Sequence, residues 1–293
     1  MNKKRNLVVW TSENDKNFYP SRPASVEIPS GAYNIDYSPE FGSFLSKIES
    51  KNDENLNILN SYYKILSRDL DKFCSLEESY KKNKMEFNRA ILLYGEPGCG
   101  KKYLANRLSN YFNKKYEGIS IYLNDPTDFE KIIFSIKNSD IKQNSKIFVI
   151  IEEVAVFLEK HGVYALLNVL KSTFKEDGIY LVATTNHEDR VSEYIANRPG
   201  MFEQKMLIDY PDDLERKQYI KLLSKKFNIE LNINQISEDT NQLSLSHIKN
   251  LIESSYVFGY DYEEILEDLR MMKEGITASF YPVANSDDDF LED

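Results

Sequence analysis

Residues 90–108, AILLYGEPGCGKKYLANRL, leave this chain few folds to choose from. An apolar run, Ala90 to Tyr94, meets a Gly/Pro cluster, and beyond it Tyr103, Leu104, Arg107, Leu108, Tyr111 and Phe112 recur at helical spacing. A buried strand, a glycine turn and a helix in that order bring backbone N–H groups and the positive end of a helix dipole to one point, which is the geometry that holds a polyphosphate. Gly95, Glu96, Pro97, Gly98, Cys99, Gly100 and Lys101 have the spacing of a phosphate-binding loop, a glycine, four residues, a second glycine and a lysine, with Lys101 suited to the β and γ phosphates. With Lys102 and Tyr103 they are the candidate nucleotide contacts. Position 102 is where such loops carry a Ser or Thr hydroxyl for Mg²⁺, and an ammonium has no lone pair to offer a metal.

Two further strands end in chemistry-bearing residues. Lys146 to Ile151 is apolar and β-branched and closes on Glu152 and Glu153; Ile179 to Ala183 runs into Thr184, Thr185 and Asn186. Beyond them stands Asn197, Arg198, Pro199, Gly200, Met201, Phe202, Glu203. In these four ordered motifs, over roughly residues 85–272, the chain resembles the AAA family of P-loop ATPases, ring-forming proteins that remodel other proteins or drive membrane fusion. VATTN is similar to the family's sensor-1 strand, and RPGMFE to its RPGRFD segment. The resemblance implies ATP or ADP as ligand. It also implies that Glu153 polarises the attacking water, that Asn186 orients it, and that Arg198 reaches into the neighbouring subunit's site. Glu152 takes the place of the metal-ordering aspartate.

Three positions depart from the family pattern: Lys102, Glu152 and Met201, where a second finger arginine would stand. The first two belong together physically. An ammonium about 5 Å from a divalent cation is repelled by several kcal/mol even at an effective dielectric near 20. Lys102 and Glu152 carry opposite charges and are expected to pair where Mg²⁺ would sit, so the magnesium requirement is the part of the chemistry these substitutions call into question. Asn124 to Phe129 lacks the aromatic, aliphatic, glycine loop with which threading members grip a polypeptide, and Phe129 is expected to face the core.

Alternating strands and helices from about Phe87 to Tyr210 predict an α/β fold, a P-loop NTPase parallel sheet sandwiched by helices, with ligand at the strands' carboxyl ends. Expected strands lie near 90–94, 119–123, 147–151, 179–183 and 204–208. Residues 1–84 are expected to hold an N-terminal hairpin or strap, around Ser30 to Gly42, and an amphipathic helix over 56–80. Residues 85–210 are expected to form the nucleotide domain and 273–293 an acidic flexible tail, and the resemblance implies that 211–272 are the family's small helical lid. In the lid, helices are expected at Leu214 to Phe227, Leu245 to Phe258 and Tyr262 to Met272, with no sensor-2 arginine. Phe290 and Leu291, set among carboxylates, are a candidate docking peptide for a protein partner.

The net charge of −10 argues against broad nucleic-acid or acidic-membrane binding. No apolar run is long enough to span a bilayer. Cys74 and Cys99 are the only cysteines, which points to a reducing, cytoplasmic setting. The expectation is an ATPase that forms a homo-oligomeric ring, a hexamer among the choices, or joins a hetero-oligomer, and remodels or assembles a protein partner. The alternative is a catalytically impaired relative that serves as an assembly or regulatory module and binds nucleotide without the usual magnesium.

Overall fold

The computed structural model describes residues 9–12, 16–21, 28–39, 42–49, 58–137, 146–175, 178–191 and 202–273, and the chain divides into two units, Met1–Asp209 and Tyr210–Asp293. The first unit is built on one sheet. In chain order its strands are β1 (Val9–Ser12), β2 (Asn17–Ser21), β3 (Gly31–Ser38), β4 (Gly42–Ile48), β5 (Asn88–Tyr94), β6 (Ile119–Tyr122), β7 (Ile147–Ile151), β8 (Ile179–Thr185) and β9 (Gln204–Leu207). Their order across the sheet is β1-β2-β4-β3-β6-β7-β8-β5-β9. From β3 to β9 every pairing is parallel. The pairings β3–β4, β4–β2 and β2–β1 are antiparallel.

The helices of this unit are α1 (Asn60–Ser75), α2 (Glu77–Lys82), α3 (Lys101–Tyr116), α4 (Phe129–Lys137), α5 (Val154–Lys175) and α6 (Glu188–Val191). Side-chain alternation along the central strands decides what each helix covers. Ile147, Val149 and Ile151 of β7, with Ile179, Leu181 and Ala183 of β8, share one core with Ile132, Ile133 and Ile136 of α4 and Leu166 and Leu170 of α5. The alternate residues face the other way. There, Phe148 lies 5.5 Å from Tyr180, Phe112 of α3 lies 5.7 Å from Phe148, and Phe73 of α1 lies 5.4 Å from Tyr180 and stacks on Phe87 at 4.4 Å. Both faces are therefore covered, which is why β5, β7 and β8 read as continuous apolar runs.

The segment read as a hairpin or strap is a hairpin, and it continues the sheet. Gly31 to Asn34 of β3 pair in parallel with Ile119 to Tyr122 of β6. The helix expected over 56–80 is broken at Leu76, between α1 and α2; its amphipathic part is α1, which buries Leu66, Leu70 and Phe73. Asp69 anchors it, accepting from Arg89 Nε and Nη2 at 2.7 and 2.6 Å and from the Tyr180 hydroxyl at 2.9 Å. Helix α5 is broken at Gly162, whose φ of 79° lies outside helical space.

The second unit is helical. It contains α7 (Asp213–Phe227), α8 (Ile233–Asp239), α9 (Leu245–Ile252), a π-helical turn (Glu253–Val257) and α10 (Tyr262–Lys273). Asp212 and Glu215 form a capping box at the start of α7, and Ser244 and His247 form another at α9. Arg216 is buried and donates to Ser237 O and Pro211 O. Ile220, Leu223, Ile236, Ile248 and Ile252 make one small core; Leu243, Leu251, Ile265, Leu266 and Leu269 make another. Helix α8, seven residues long, is too short to show a helical period in the sequence. The expected helix Leu245 to Phe258 changes character at Glu253, where the backbone widens into the π turn.

Candidate functional site

Neighbouring strands β7, β8 and β5 deliver their carboxyl ends to one edge of the sheet. The glycine-rich loop leaves β5 at Gly95, whose φ is 138°. A Cβ there would lie 2.3 Å from the Ile208 carbonyl oxygen, so this glycine is required by a close backbone approach as well as by its dihedral. Gly98 and Gly100 also take left-handed conformations, and Gly100 caps α3 without a side chain. The amides at the start of α3 thus keep no side-chain acceptor from their own cap, which suits an anion. Glu96 and Pro97 are exposed at the loop's tip and Tyr103 is partly buried. Cys99 is buried, and burial pushes its thiol up to about 11, so it packs as a neutral side chain at physiological pH.

Lys101 is 4% exposed, and its Nζ donates to the carbonyls of Gly95 at 2.7 Å and Glu96 at 2.8 Å. Burial lowers its pKa; Glu153, foremost among nearby groups, opposes the shift. The two carboxylates after β7 have separate partners. Glu153 has a φ of 48°, donates its N–H to Thr184 Oγ1 at 3.1 Å, and accepts from Asn186 Nδ2 through Oε1 at 2.8 Å. The Asn186 N–H reaches its Oε2 at 3.3 Å. The structure therefore brings Glu153 and Asn186 together as a hydrogen-bonded pair beside Lys101. Thr184, to which the sequence reading gave no role, fixes the turn that aims Glu153; its only signal was its place two residues before Asn186.

Glu152 turns to the loop helix. The Nζ of Lys102 sits 2.6 Å from Glu152 Oε2, with the lysine side chain 69% and the glutamate 24% exposed. These side chains do not fit a magnesium ion: the hydroxyl is absent and the carboxylate already holds an ammonium. Among the described residues no three His, Cys, Asp or Glu side chains are grouped to hold a metal. Arg198 and Met201 lie outside the described residues, as do Phe290 and Leu291 of the acidic tail. Glu203, at the end of the RPGMFE segment, accepts from the Ala90 N–H at 2.6 Å while its own N–H donates to the Ala90 carbonyl, so it ties the start of β9 to β5. Burial raises its pKa. Phe129 is buried, and a groove of about 670 Å³ lined by Pro126, Phe134 and Asn168 opens beside it.

Residues 91–210 match the model of the ATPase family associated with various cellular activities (AAA). Among curated proteins, the chain is 23% identical over 220 residues to the ATP-dependent zinc metalloprotease FtsH of Lachnoclostridium phytofermentans, covering 68% of this chain and 37% of that protein. It is 26% identical over 167 residues to the peroxisomal ATPase pex1 of Schizosaccharomyces pombe, covering 52% of this chain and 17% of that protein. It is 24% identical over 217 residues to the Holliday junction branch migration complex subunit RuvB of Mycoplasma genitalium, covering 67% of this chain and 68% of that protein. The chain thus spans well under half the length of the first two. Among the described residues no helix is long and apolar enough to cross a membrane.

Proposed function

Because residues 91–210 belong to the AAA family of ATPases, we propose that this chain binds ATP or ADP at Gly95 to Tyr103 and hydrolyses ATP within an oligomer to remodel or assemble a protein partner. The observation that carries the reading is the Glu153–Asn186 pair beside Lys101. A bound nucleotide supplies the phosphoanhydride bond. The amides of the loop and of the first turn of α3 bind its phosphates, and Lys101 neutralises them. Glu153 takes a proton from water at a carboxylate oxygen as the water oxygen bonds to the γ phosphorus and the bond to the β-phosphate oxygen breaks, releasing ADP; Asn186 orients the carboxylate by donating to both of its oxygens. Arg198 of an adjacent copy, by its resemblance to the family's finger arginine, adds positive charge at the transferred phosphoryl group. The assembly is a ring of this chain, hexameric or otherwise, or a hetero-oligomer in the cytoplasm, with the acidic tail as one contact for the partner.

A second reading is favoured by the Lys102–Glu152 ion pair, which occupies both metal-binding side chains. In it the chain is a slow or inactive relative that serves as a structural or regulatory module. Steady-state ATP turnover at several protein concentrations separates the two. Activity that rises with concentration and vanishes in Glu153→Gln supports the ATPase. No turnover in the wild type, with a gain in Lys102→Thr, supports the module. The net charge of −10 disfavours a DNA substrate; salt-sensitive DNA binding would reverse that view.

A further inference from the structure

We propose that Lys102 and Glu152 form a built-in cation site in place of the divalent metal, so that the loop takes a nucleoside di- or triphosphate without magnesium. The inference rests on the nucleotide reading above and goes on to the ionic state of the ligand.

The two residues sit on different elements, Lys102 in the first turn of α3 and Glu152 just after β7, and meet at 2.6 Å. Stability gives little reason for the contact, since a pair with one partner 69% exposed contributes next to nothing to a fold. Charge gives a better one. Lys101 and Lys102 balance Glu152 and Glu153, whereas a hydroxyl at 102 would leave these four positions net negative and in need of a metal before a polyphosphate could approach. Glutamate has one methylene more than aspartate, which lets its carboxylate reach the lysine. The ammonium has three N–H donors and Glu152 Oε2 uses one, so the others remain for phosphate oxygens. A divalent ion at the same carboxylate would have to displace the ammonium and then lie beside it.

The test is binding of a fluorescent ADP analogue to the full chain, in EDTA and in millimolar Mg²⁺, with Mn²⁺ followed by electron paramagnetic resonance. The expected result is a wild-type Kd in the two buffers within about threefold, with no immobilised Mn²⁺. Lys102→Met, a change at an exposed side chain, weakens binding in EDTA by about tenfold. The double change Lys102→Thr with Glu152→Asp makes binding magnesium-dependent by about tenfold or more and immobilises one Mn²⁺. Wild-type binding that requires Mg²⁺, or Mn²⁺ immobilised by the wild type as by the double variant, overturns the inference and leaves the nucleotide site standing. Absence of binding in both buffers overturns the nucleotide reading as well.

Discussion

At the scale of single residues, the proposed roles separate binding from chemistry, and substitutions should do the same. Glu153→Gln keeps the side-chain shape and an acceptor for Asn186 Nδ2 but removes the proposed base. ATP turnover should fall by about 10²-fold or more with nucleotide affinity unchanged; a parallel loss of affinity would mean that Glu153 supports the loop instead. Gly95→Ala forces a Cβ to within 2.3 Å of the Ile208 carbonyl at a φ of 138°. It should cost roughly 2–4 kcal/mol in urea unfolding, from clash and strain together. The glycines, Lys101, Glu153 and Asn186 were legible because spacing and strand endings mark them. The Lys102–Glu152 contact was legible too, since two substitutions of opposite sign fell on one expected metal site. Thr184 and the Glu203–Ala90 tie were not, because the backbone groups they satisfy have no sequence signature.

Elements carry two further predictions. Phe73 of α1 is packed against Phe87 and Tyr180. Phe73→Ala should therefore destabilise the first unit by about 3–5 kcal/mol in denaturant titration, whereas a loosely attached arm would lose less than ~1. In α9, His247 accepts from the Ser244 N–H through Nδ1, and burial, helped by Lys273, lowers its pKa below the ordinary 6.5. Being neutral in the folded state, it contributes stability above pH 6.5. That contribution is lost as pH falls through the lower folded value, because the unfolded chain binds the proton first. His247→Gln keeps a side-chain acceptor for the capping box. The pH slope of unfolding below 6.5 should therefore shrink in the variant, and an unchanged slope would clear His247 of the effect. Long periodic helices and apolar strands could be read from the chain. The seven-residue α8 and the π turn could not, the first for want of a period and the second because it departs from 3.6 residues per turn only locally.

At the scale of the molecule, an arginine finger working in trans has a quantitative signature. Arg198→Ala lacks the proposed finger and Glu153→Gln the proposed base, so each alone should be inactive. A one-to-one mixture should recover about a quarter of wild-type turnover if subunits assort at random. A mixture as silent as its parts would place Arg198 in its own subunit's site or in none. The parallel sheet was legible from the alternation of strand and helix, but its extension by β3, β4, β2 and β1 was not, because a hairpin's own sequence does not announce which edge it will join. That join has a consequence in time. Residues 31–34 pair with residues 119–122, about ninety positions later. At typical rates of synthesis, roughly 4–18 s separate the hairpin's release from that of its partner strand. Throughout that interval β3 has a free parallel edge on a growing chain, and its alternating Asn34, Asp36 and Ser38 keep the waiting strand polar enough to refuse a stranger.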